Sequence, residues 1–381
     1  MSGLQRLLNL PKMLTRSSFF LLGPRATGKT FLIHQQLPRA PVYDLLDSDV
    51  FSRLARRPRL LGEEVSNADR LVVIDEIQKL PALLDEVHRL IESRKIRFLL
   101  TGSSARKLRR GGVNLLAGRA WEANLFPLTS PEIPDFDLMR YLNRGGIPRI
   151  YLSDEYRDEL KSYVNLYLRE EILAEALTRR IDVFARFLDV MALGNGEELN
   201  FQGLASDAGV PVRTLQNYVQ VLQDTLIGFQ VPAFRATKKR KAITRSRFFF
   251  FDVGVVNHLS HRGAIQAKSE LFGKCFEHFL FLELRAYLSY RRLDLPLSYW
   301  RSTSGFEVDC LIGSEWALEF KSTNSVTERH LRGLMALREE GLVKRYAVVS
   351  TDPVRRRLAG LTVYPWREFL DDLWSDKLLH R

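Results

Sequence analysis

Cysteine is nearly missing: Cys275 and Cys310 are the 2 thiols in 381 residues. That excludes a disulfide framework and a cysteine-rich zinc site, and it suits a reducing compartment. Both sit inside apolar stretches and read as core thiols. Histidine is sparse too. The 7 imidazoles are scattered, and none stands at metal-ligand spacing from a cysteine. No serine–histidine–aspartate constellation is legible. No uncharged apolar run approaches the roughly 20 residues a membrane helix needs. Met1 to Asn9 lacks the apolar stretch of a signal peptide. Internal repeats and low-complexity tracts are also lacking. The expectation from these absences is a soluble, cytoplasmic protein with no membrane partner.

Apolar mass and positive charge are plentiful. Hydrophobic residues make up 45% of the chain, enough for a large core. The length suits two to four domains. Lysine and arginine number 57 against 45 acids, a net charge of +12. Such an excess favours a polyanionic partner, nucleic acid before a membrane surface.

The first third alternates strand and helix. Apolar runs at Ser18–Leu22, Pro41–Leu46, Arg70–Asp75, Ile96–Thr101 and Trp121–Leu128 predict five strands. Helices are expected over Phe31–Gln36 and Ala82–Glu92, the latter with Leu83, Leu84, Val87, Leu90 and Ile91 on one face. Short apolar strands separated by helices imply a mostly parallel sheet covered on both sides, hence an α/β fold. From Phe136 to about Asp189 the pattern turns helical.

The first predicted strand runs into Gly23-Pro24-Arg25-Ala26-Thr27-Gly28-Lys29-Thr30, a match to G-x-x-x-x-G-K-[ST] in the strand–loop–helix context that motif requires. The glycines let the backbone N–H groups curl around phosphates, and the helix N-terminus adds partial positive charge. Lys29 is expected to bridge the β- and γ-phosphates of ATP, and the Thr30 hydroxyl to ligate Mg2+. Leu71 to Glu76 is an apolar strand ending in two acids. Asp75 is expected to hold the Mg2+ through water and Glu76 to act as general base. The next strand ends Leu100-Thr101-Gly102-Ser103-Ser104. A hydroxyl there can orient the water or sense the γ-phosphate, and the residues do not choose between Thr101 and Ser103.

A strand with a P-loop, an Ile74-Asp75-Glu76-Ile77-Gln78 strand end and a Leu99-Leu100-Thr101-Gly102-Ser103-Ser104 strand end resemble the AAA+ superfamily. More narrowly, the chain resembles bacterial and archaeal AAA+ ATPases of poorly defined function that carry a winged helix and a nuclease-like C-terminal domain. Further pieces of that likeness are Leu116-Ala117-Gly118-Arg119, Gly145-Gly146-Ile147-Pro148 and Tyr167-Leu168-Arg169-Glu170-Glu171-Ile172-Leu173. The resemblance implies an arginine just before the fifth strand that reaches a neighbouring subunit's ATP. Arg119 occupies that place, with Arg106, Arg109 and Arg110 as rivals. It also implies a homo-oligomer, a ring or at least a dimer. Arg149 is the candidate for a sensor arginine in a helical lid.

Leu204 to Asp224, broken at Gly209-Val210-Pro211, has helix-turn-helix spacing. Leu204, Ala205, Ala208, Val210, Leu215, Tyr218, Val219 and Leu222 are expected inside. Arg213, Thr214, Gln216, Asn217 and Gln220 are expected to face out, with side chains that reach bases and phosphates. Strands at Ile227–Phe234 and Ser246–Val253 flank a basic hairpin bearing Arg235, Lys238, Lys239, Arg240, Lys241, Arg245 and Arg247. Helices and hairpin together read as a winged helix whose tip tracks phosphates.

Near the C-terminus, Phe306-Glu307-Val308-Asp309 and Ala317-Leu318-Glu319-Phe320-Lys321 carry the core of a PD-(D/E)xK site. Glu319 and Lys321 share a strand face. Asp309 and Glu319 are expected to hold Mg2+, with Lys321 stabilising an attacking hydroxide or the developing phosphorane. An upstream helix, Gly273–Ser289, offers Glu277 or Glu283 as a further acid. Its His278 is a core or surface residue sooner than a site residue.

The expected layout is an AAA+ core over 1–132, a helical lid over 133–189, a winged helix over 190–262 and an α+β, restriction-endonuclease-like domain over 263–381. The expected function is ATP binding and hydrolysis that moves along or remodels DNA, with Mg-dependent nuclease activity left open. The alternative is an ATP-gated regulatory switch, or a DNA-binding protein whose nuclease-like domain does not cut.

Overall fold

The computed structural model describes residues 4–66, 68–103, 115–171, 181–267 and 269–379. The chain divides into two compact units, one of residues 1–128 with 220–227, the other of 129–219 with 228–381.

In the first unit, five apolar runs form β1 (Ser18–Leu22), β2 (Val42–Asp44), β3 (Leu71–Asp75), β4 (Arg97–Gly102) and β5 (Ala120–Asn124). They hydrogen-bond in the order β2-β3-β4-β1-β5, every pair parallel. Every residue of β1 is buried, as a strand covered on both faces must be. The helix Leu83–Arg94 turns Leu83, Leu84, Val87 and Leu90 onto β3 and β4 residues such as Val72, Phe98 and Leu100. Ile91, expected on that face, is only partly buried at its edge. Because the strands are parallel, the C-terminal ends of β1, β3 and β4 share one edge, where open α/β sheets place their ligands.

In the second unit, helices Leu138–Arg144, Pro148–Leu152 and Tyr156–Ser162 precede a π-helical stretch, Tyr163–Glu171, and the helix Ile181–Leu193 comes after it. Helices Phe201–Ala208 and Val212–Asp224 follow, the latter counted with the second unit as far as Val219, and they are divided at Gly209, whose φ of +66° suits glycine as a helix stop. Ala205, Ala208, Leu215, Tyr218, Val219 and Leu222 are buried as the pattern implies, while Leu204 and Val210 are half-buried. Arg213, Gln216, Asn217 and Gln220 are exposed, and Thr214 is half-buried.

Strands β6 (Gly228–Val231) and β7 (Arg247–Phe250) pair antiparallel, shorter than the sequence suggests. A second sheet is built from β8 (Leu297–Arg301), β9 (Glu307–Ile312), β10 (Trp316–Lys321), β11 (Arg345–Ser350), β12 (Arg356–Leu358) and β13 (Leu361–Pro365). Its order is β12-β13-β11-β10-β9-β8. Only β10–β11 and β11–β13 are parallel pairs. The 22-residue helix Glu270–Arg291 buries Phe272, Phe276, Phe279 and Phe281, and Phe281 stacks edge-on against Phe320 of β10. No sequence pattern predicts β12, β13 or the closing helix Trp366–Trp374, which are additions of the structure. Between β10 and β11 lie a short 3-10 turn, Glu328–Leu331, and the helix Arg332–Arg338.

The basic segment between β6 and β7 departs from a free hairpin. Phe234 N–H donates to Tyr299 O at 2.7 Å, and Ile243 N–H to Arg301 O at 2.8 Å, so both arms lie along β8. Edge strands carry unpaired backbone groups, and this segment satisfies those of β8.

Candidate nucleotide and carboxylate sites

The loop after β1 is a built turn. Ala26 (φ +62°) and Gly28 (φ +91°) both lie in the left-handed region, an arrangement that brings successive N–H groups into a concavity. A Cβ at Gly23 would sit 2.5 Å from Leu125 O, so only glycine fits there. Thr27 Oγ1 donates to Pro24 O at 2.8 Å and braces the turn. Lys29 opens the helix Lys29–Gln36, and its ammonium donates to Gly23 O at 2.8 Å and Pro24 O at 3.2 Å. Burial pulls the Lys29 ammonium below its usual range, opposed by Glu76 and Asp75. Two carbonyls leave one of its three donors for an anion. Loop concavity, helix N-terminus and a buried lysine form a donor set that fits a nucleotide's phosphates.

Asp75 ends β3 with 2% exposure. Thr30 Oγ1 donates to its Oδ2 at 2.8 Å, and Thr101 Oγ1 donates to its Oδ1. Glu76 follows in the left-handed region at φ +60°, and its N–H donates to Thr101 Oγ1 at 3.1 Å. Thr101 therefore links both acids. Ser103 does something else: its Oγ accepts from Gln78 Nε2 at 3.2 Å, and the same nitrogen donates to Glu76 Oε2.

Arg119 is half-buried and pairs through Nε with Glu92 Oε1 of the same chain. The rivals Arg106, Arg109 and Arg110, like Ser104, lie outside the described residues, as do Ile172 and Leu173 of the Tyr167–Leu173 string. In the second unit Arg149 is largely exposed and holds Glu159 at 2.9 Å.

A separate cluster sits on the second sheet. Asp309 and Glu319, each 7% exposed, stand one step beyond the Cys310↔Leu318 pair of β9 and β10, directly across the strands. Lys321 Nζ lies 2.6 Å from Glu319 Oε1 and 3.7 Å from Asp309 Oδ2. Asp309 Oδ2 also accepts from Phe320 N–H at 2.8 Å. Glu319 Oε2 is buried with no hydrogen-bond partner. Burial pushes the Glu319 carboxyl well above its usual range, Asp309 adds to that, and Lys321 opposes it. Of the two helix acids, Glu277 belongs here. Burial pushes its carboxyl up to about 8, Asp309 adds to this, and Arg247 works against it at 3.1 Å. Glu283 instead accepts from Ser130 N at 2.7 Å and Trp374 Nε1 at 2.7 Å. No group of three His, Cys, Asp or Glu side chains is arranged to hold a metal ion among the described residues. Two carboxylates with a free oxygen remain as the donor set.

His278 faces away from this cluster. Nε2 lies 2.6 Å from Phe250 O and Nδ1 lies 3.3 Å from Asn195 Nδ2, which fixes a neutral ring protonated on Nε2. Burial lowers its pKa to about 4. The basic segment is engaged as well. Glu340 accepts from the backbone N–H groups of Lys238, Lys239 and Arg240 at 2.8, 3.0 and 3.0 Å. The Arg240 side chain reaches Ala336 O at 3.0 Å and Glu339 Oε2 at 2.6 Å.

Three contributors carry little local signal. Arg6, ahead of the first strand, donates to Thr27 O at 2.7 Å and Phe126 O at 2.6 Å, pinning the P-loop. Gln78 stands inside the Asp75-Glu76-Ile77-Gln78 string, two residues beyond the acid it holds. Arg247, counted with the hairpin charges, is buried between Glu277 and Glu307 with its guanidinium 4.4 Å from the Tyr299 ring. Only the adjoining β-strand pattern, apolar after Arg247, hints at its burial.

Comparison with known proteins adds the following. Residues 15–133 match the model of an AAA domain. Residues 135–266 and 272–369 match two domains of unknown function (DUF8612 and DUF4143). An uncharacterized protein of Haemophilus influenzae is 22% identical over 59% of this chain and 60% of its own length. An uncharacterized protein of Methanocaldococcus jannaschii is 24% identical over 63% of this chain and 58% of its own. The chain thus spans about three fifths of the length of these relatives. Among solved structures, a signal transduction ATPase with numerous domains from Pyrococcus horikoshii is 15% identical, with 77% of this chain and 49% of that one covered and a TM-score of 0.22. Drosophila ORC bound to AT-rich DNA is 11% identical, with 66% and 88% covered and the same TM-score of 0.22. Scores that low do not establish a shared fold. The AAA match agrees with the P-loop and the five-stranded parallel sheet: the first unit holds an AAA-type P-loop domain, a family of ATPases that use nucleotide, typically with Mg2+. No described helix is long and apolar enough to cross a membrane.

Proposed function

We propose that this chain is a Mg-dependent ATP hydrolase whose turnover serves to move along or remodel DNA. The observation that carries the ATPase reading is the 2.8 Å contact of Thr30 Oγ1 with Asp75 Oδ2, which brings the P-loop hydroxyl and the strand-end acid to one point. These two residues would hold Mg2+, which supplies charge neutralisation at the phosphates. Residues Gly23 to Thr30 bind the phosphates. Lys29 exchanges its loop carbonyls for phosphate oxygens. Glu76 accepts the proton of the attacking water. Thr101 keeps Asp75 and the Glu76 backbone in register. The test is ATP turnover in Glu76→Gln, which is expected to bind nucleotide and lose hydrolysis. Undiminished turnover overturns the assignment of the base.

Net charge +12 and the exposed Arg213, Gln216, Asn217 and Gln220 of a helix-turn-helix support DNA as the partner. Residues 133–189 then act as a lid, 190–262 as a winged helix and 263–381 as a nuclease-like domain. Arg119 completes a neighbouring subunit's site only by releasing Glu92, which makes the protein a homo-oligomer. Mixing Arg119→Ala with Lys29→Ala protein is expected to restore activity at mixed interfaces. Co-assembly without rescue counts against Arg119 in trans.

A second reading rests on Asp309, Glu319 and Lys321. Two opposed carboxylates, one with a free buried oxygen, would hold Mg2+ or Mn2+, and Lys321 would steady a scissile phosphate. Absence of cleavage on duplex, forked, single-stranded and junction DNA with either metal returns this domain to a binding role.

A further inference from the structure

Gln78 lies in the 3-10 turn Ile77–Lys79 that follows β3 and is 8% exposed. Its nitrogen donates both to Glu76 Oε2 and to Ser103 Oγ, the latter at 3.2 Å. The orientation of the amide is fixed by chemistry. Flipped, its oxygen would face a carboxylate, two acceptors with no hydrogen between them. The oxygen is therefore on the far side, where it is buried and has no hydrogen-bond partner. It lies against Gly102: a Cβ at that position would come within 2.6 Å of Gln78 Oε1. The last residue of β4 is thus kept bare by the amide.

Glu76 needs such a partner. Its backbone is left-handed at φ +60°, so the strand does not aim its side chain. Its N–H is spent on Thr101 and sets the backbone only. One carboxylate oxygen is held by Gln78, and a base held at one oxygen presents the other in a fixed direction.

We propose that Gln78 is a positioning residue for hydrolysis: its amide nitrogen clamps the Glu76 carboxylate in one orientation, so that the free oxygen meets the attacking water. Ser103 anchors the clamp. The inference rests on the assignment of Glu76 as general base.

The experiment uses the full chain and compares Gln78→Met, Ser103→Ala, Glu76→Gln and the double variant Glu76→Gln/Gln78→Met. Methionine keeps the volume and removes both amide functions. Steady-state and single-turnover ATP hydrolysis are measured with binding of a fluorescent ATP analogue. Gln78→Met is expected to lower kcat about 10- to 100-fold with KM and analogue affinity changed less than about 2-fold, the cost of a misplaced base. Ser103→Ala lowers kcat less and provides the clamp test if Gln78→Met does not fold. In the Glu76→Gln background, Gln78→Met adds little further loss, because it acts through a base already removed. If Glu76→Gln abolishes turnover while Gln78→Met and Ser103→Ala leave kcat intact, the clamp is overturned and the base stands. Independent, multiplicative losses also overturn it. If Glu76→Gln turns over normally, the base assignment itself has failed.

Discussion

Two pairs of acids among the described residues, Asp75 with Glu76 and Asp309 with Glu319, are satisfied in opposite ways. Asp75 and Glu76 are met by neutral donors: the hydroxyls of Thr30 and Thr101 on one, the Gln78 amide on the other. Asp309 and Glu319 are met by charge, with Lys321 between them and Arg247 holding the neighbouring Glu277. Neutral partners leave the negative charge of the first pair available to a cation and a water. Internal cations consume much of it in the second. A pair whose charge is left free and a pair already half neutralised differ in what they lose on mutation.

The sharpest break between them is kinetic. Glu76→Gln is expected to reduce ATP turnover by about 10²- to 10⁴-fold with nucleotide affinity retained and the melting temperature nearly unchanged. Turnover and a nucleotide-binding titration on the same preparation check it. The counterpart at the second cluster is structural. Arg247→Met strands Glu277 without its paired cation, while Glu307 keeps Arg301, and denaturant unfolding is expected to show a loss of about 3 kcal/mol. A variant as stable as the parent would mean that this guanidinium neutralises nothing.

Acid separates Glu277 from its neighbour His278. The folded-state pKa of His278 is depressed from 6.5 to about 4, so the folded chain resists a proton the unfolded chain accepts. Its contribution is complete above pH 6.5 and is lost as pH falls towards 4, for a total of about 3 kcal/mol. His278→Gln is expected to flatten that part of the stability profile. A slope unchanged in His278→Gln assigns the acid sensitivity to other groups.

The smallest stability effect is expected at Asp309→Asn. Removing one of two facing carboxylates relieves repulsion with Glu319, so without metal the protein is neutral or stabilised by about 1 kcal/mol. If the second reading holds, the same variant abolishes Mn2+-dependent cleavage while ATP turnover persists. A marked loss of stability in chelator would identify the pair as a structural ion pair. The basic segment offers a further contrast. Because Lys238, Lys239 and Arg240 already hold Glu340 through their backbones, neutralising the three side chains with Lys241 tests whether their charges still reach DNA. A flatter salt dependence of DNA affinity is expected if they do.

Gly23 to Thr30, Asp75 and Glu76 were legible in the chain because each lies within one strand–loop unit. A parallel sheet then brings the ends of β1, β3 and β4 to one edge without further instruction. The opposed Asp309 and Glu319 were also within reach, since period-two alternation sets the face of each strand. What pattern could not choose were side chains whose partners come from elsewhere in the fold. Glu277 and Glu283 lie 6 residues apart on one helix, and only packing sent one to Arg247 and the other to Ser130 and Trp374. A row of lysines and arginines reads as a free wing, yet its backbone N–H groups needed acceptors, and the Glu340 carboxylate supplied them. Local sequence determined the loop from Gly23 to Thr30 and the acids beside it, because those contacts follow from backbone geometry over a few residues. The tertiary structure alone decided which charges are free and which are spent, because a buried charge takes its partner from whatever distant side chain the core delivers to it.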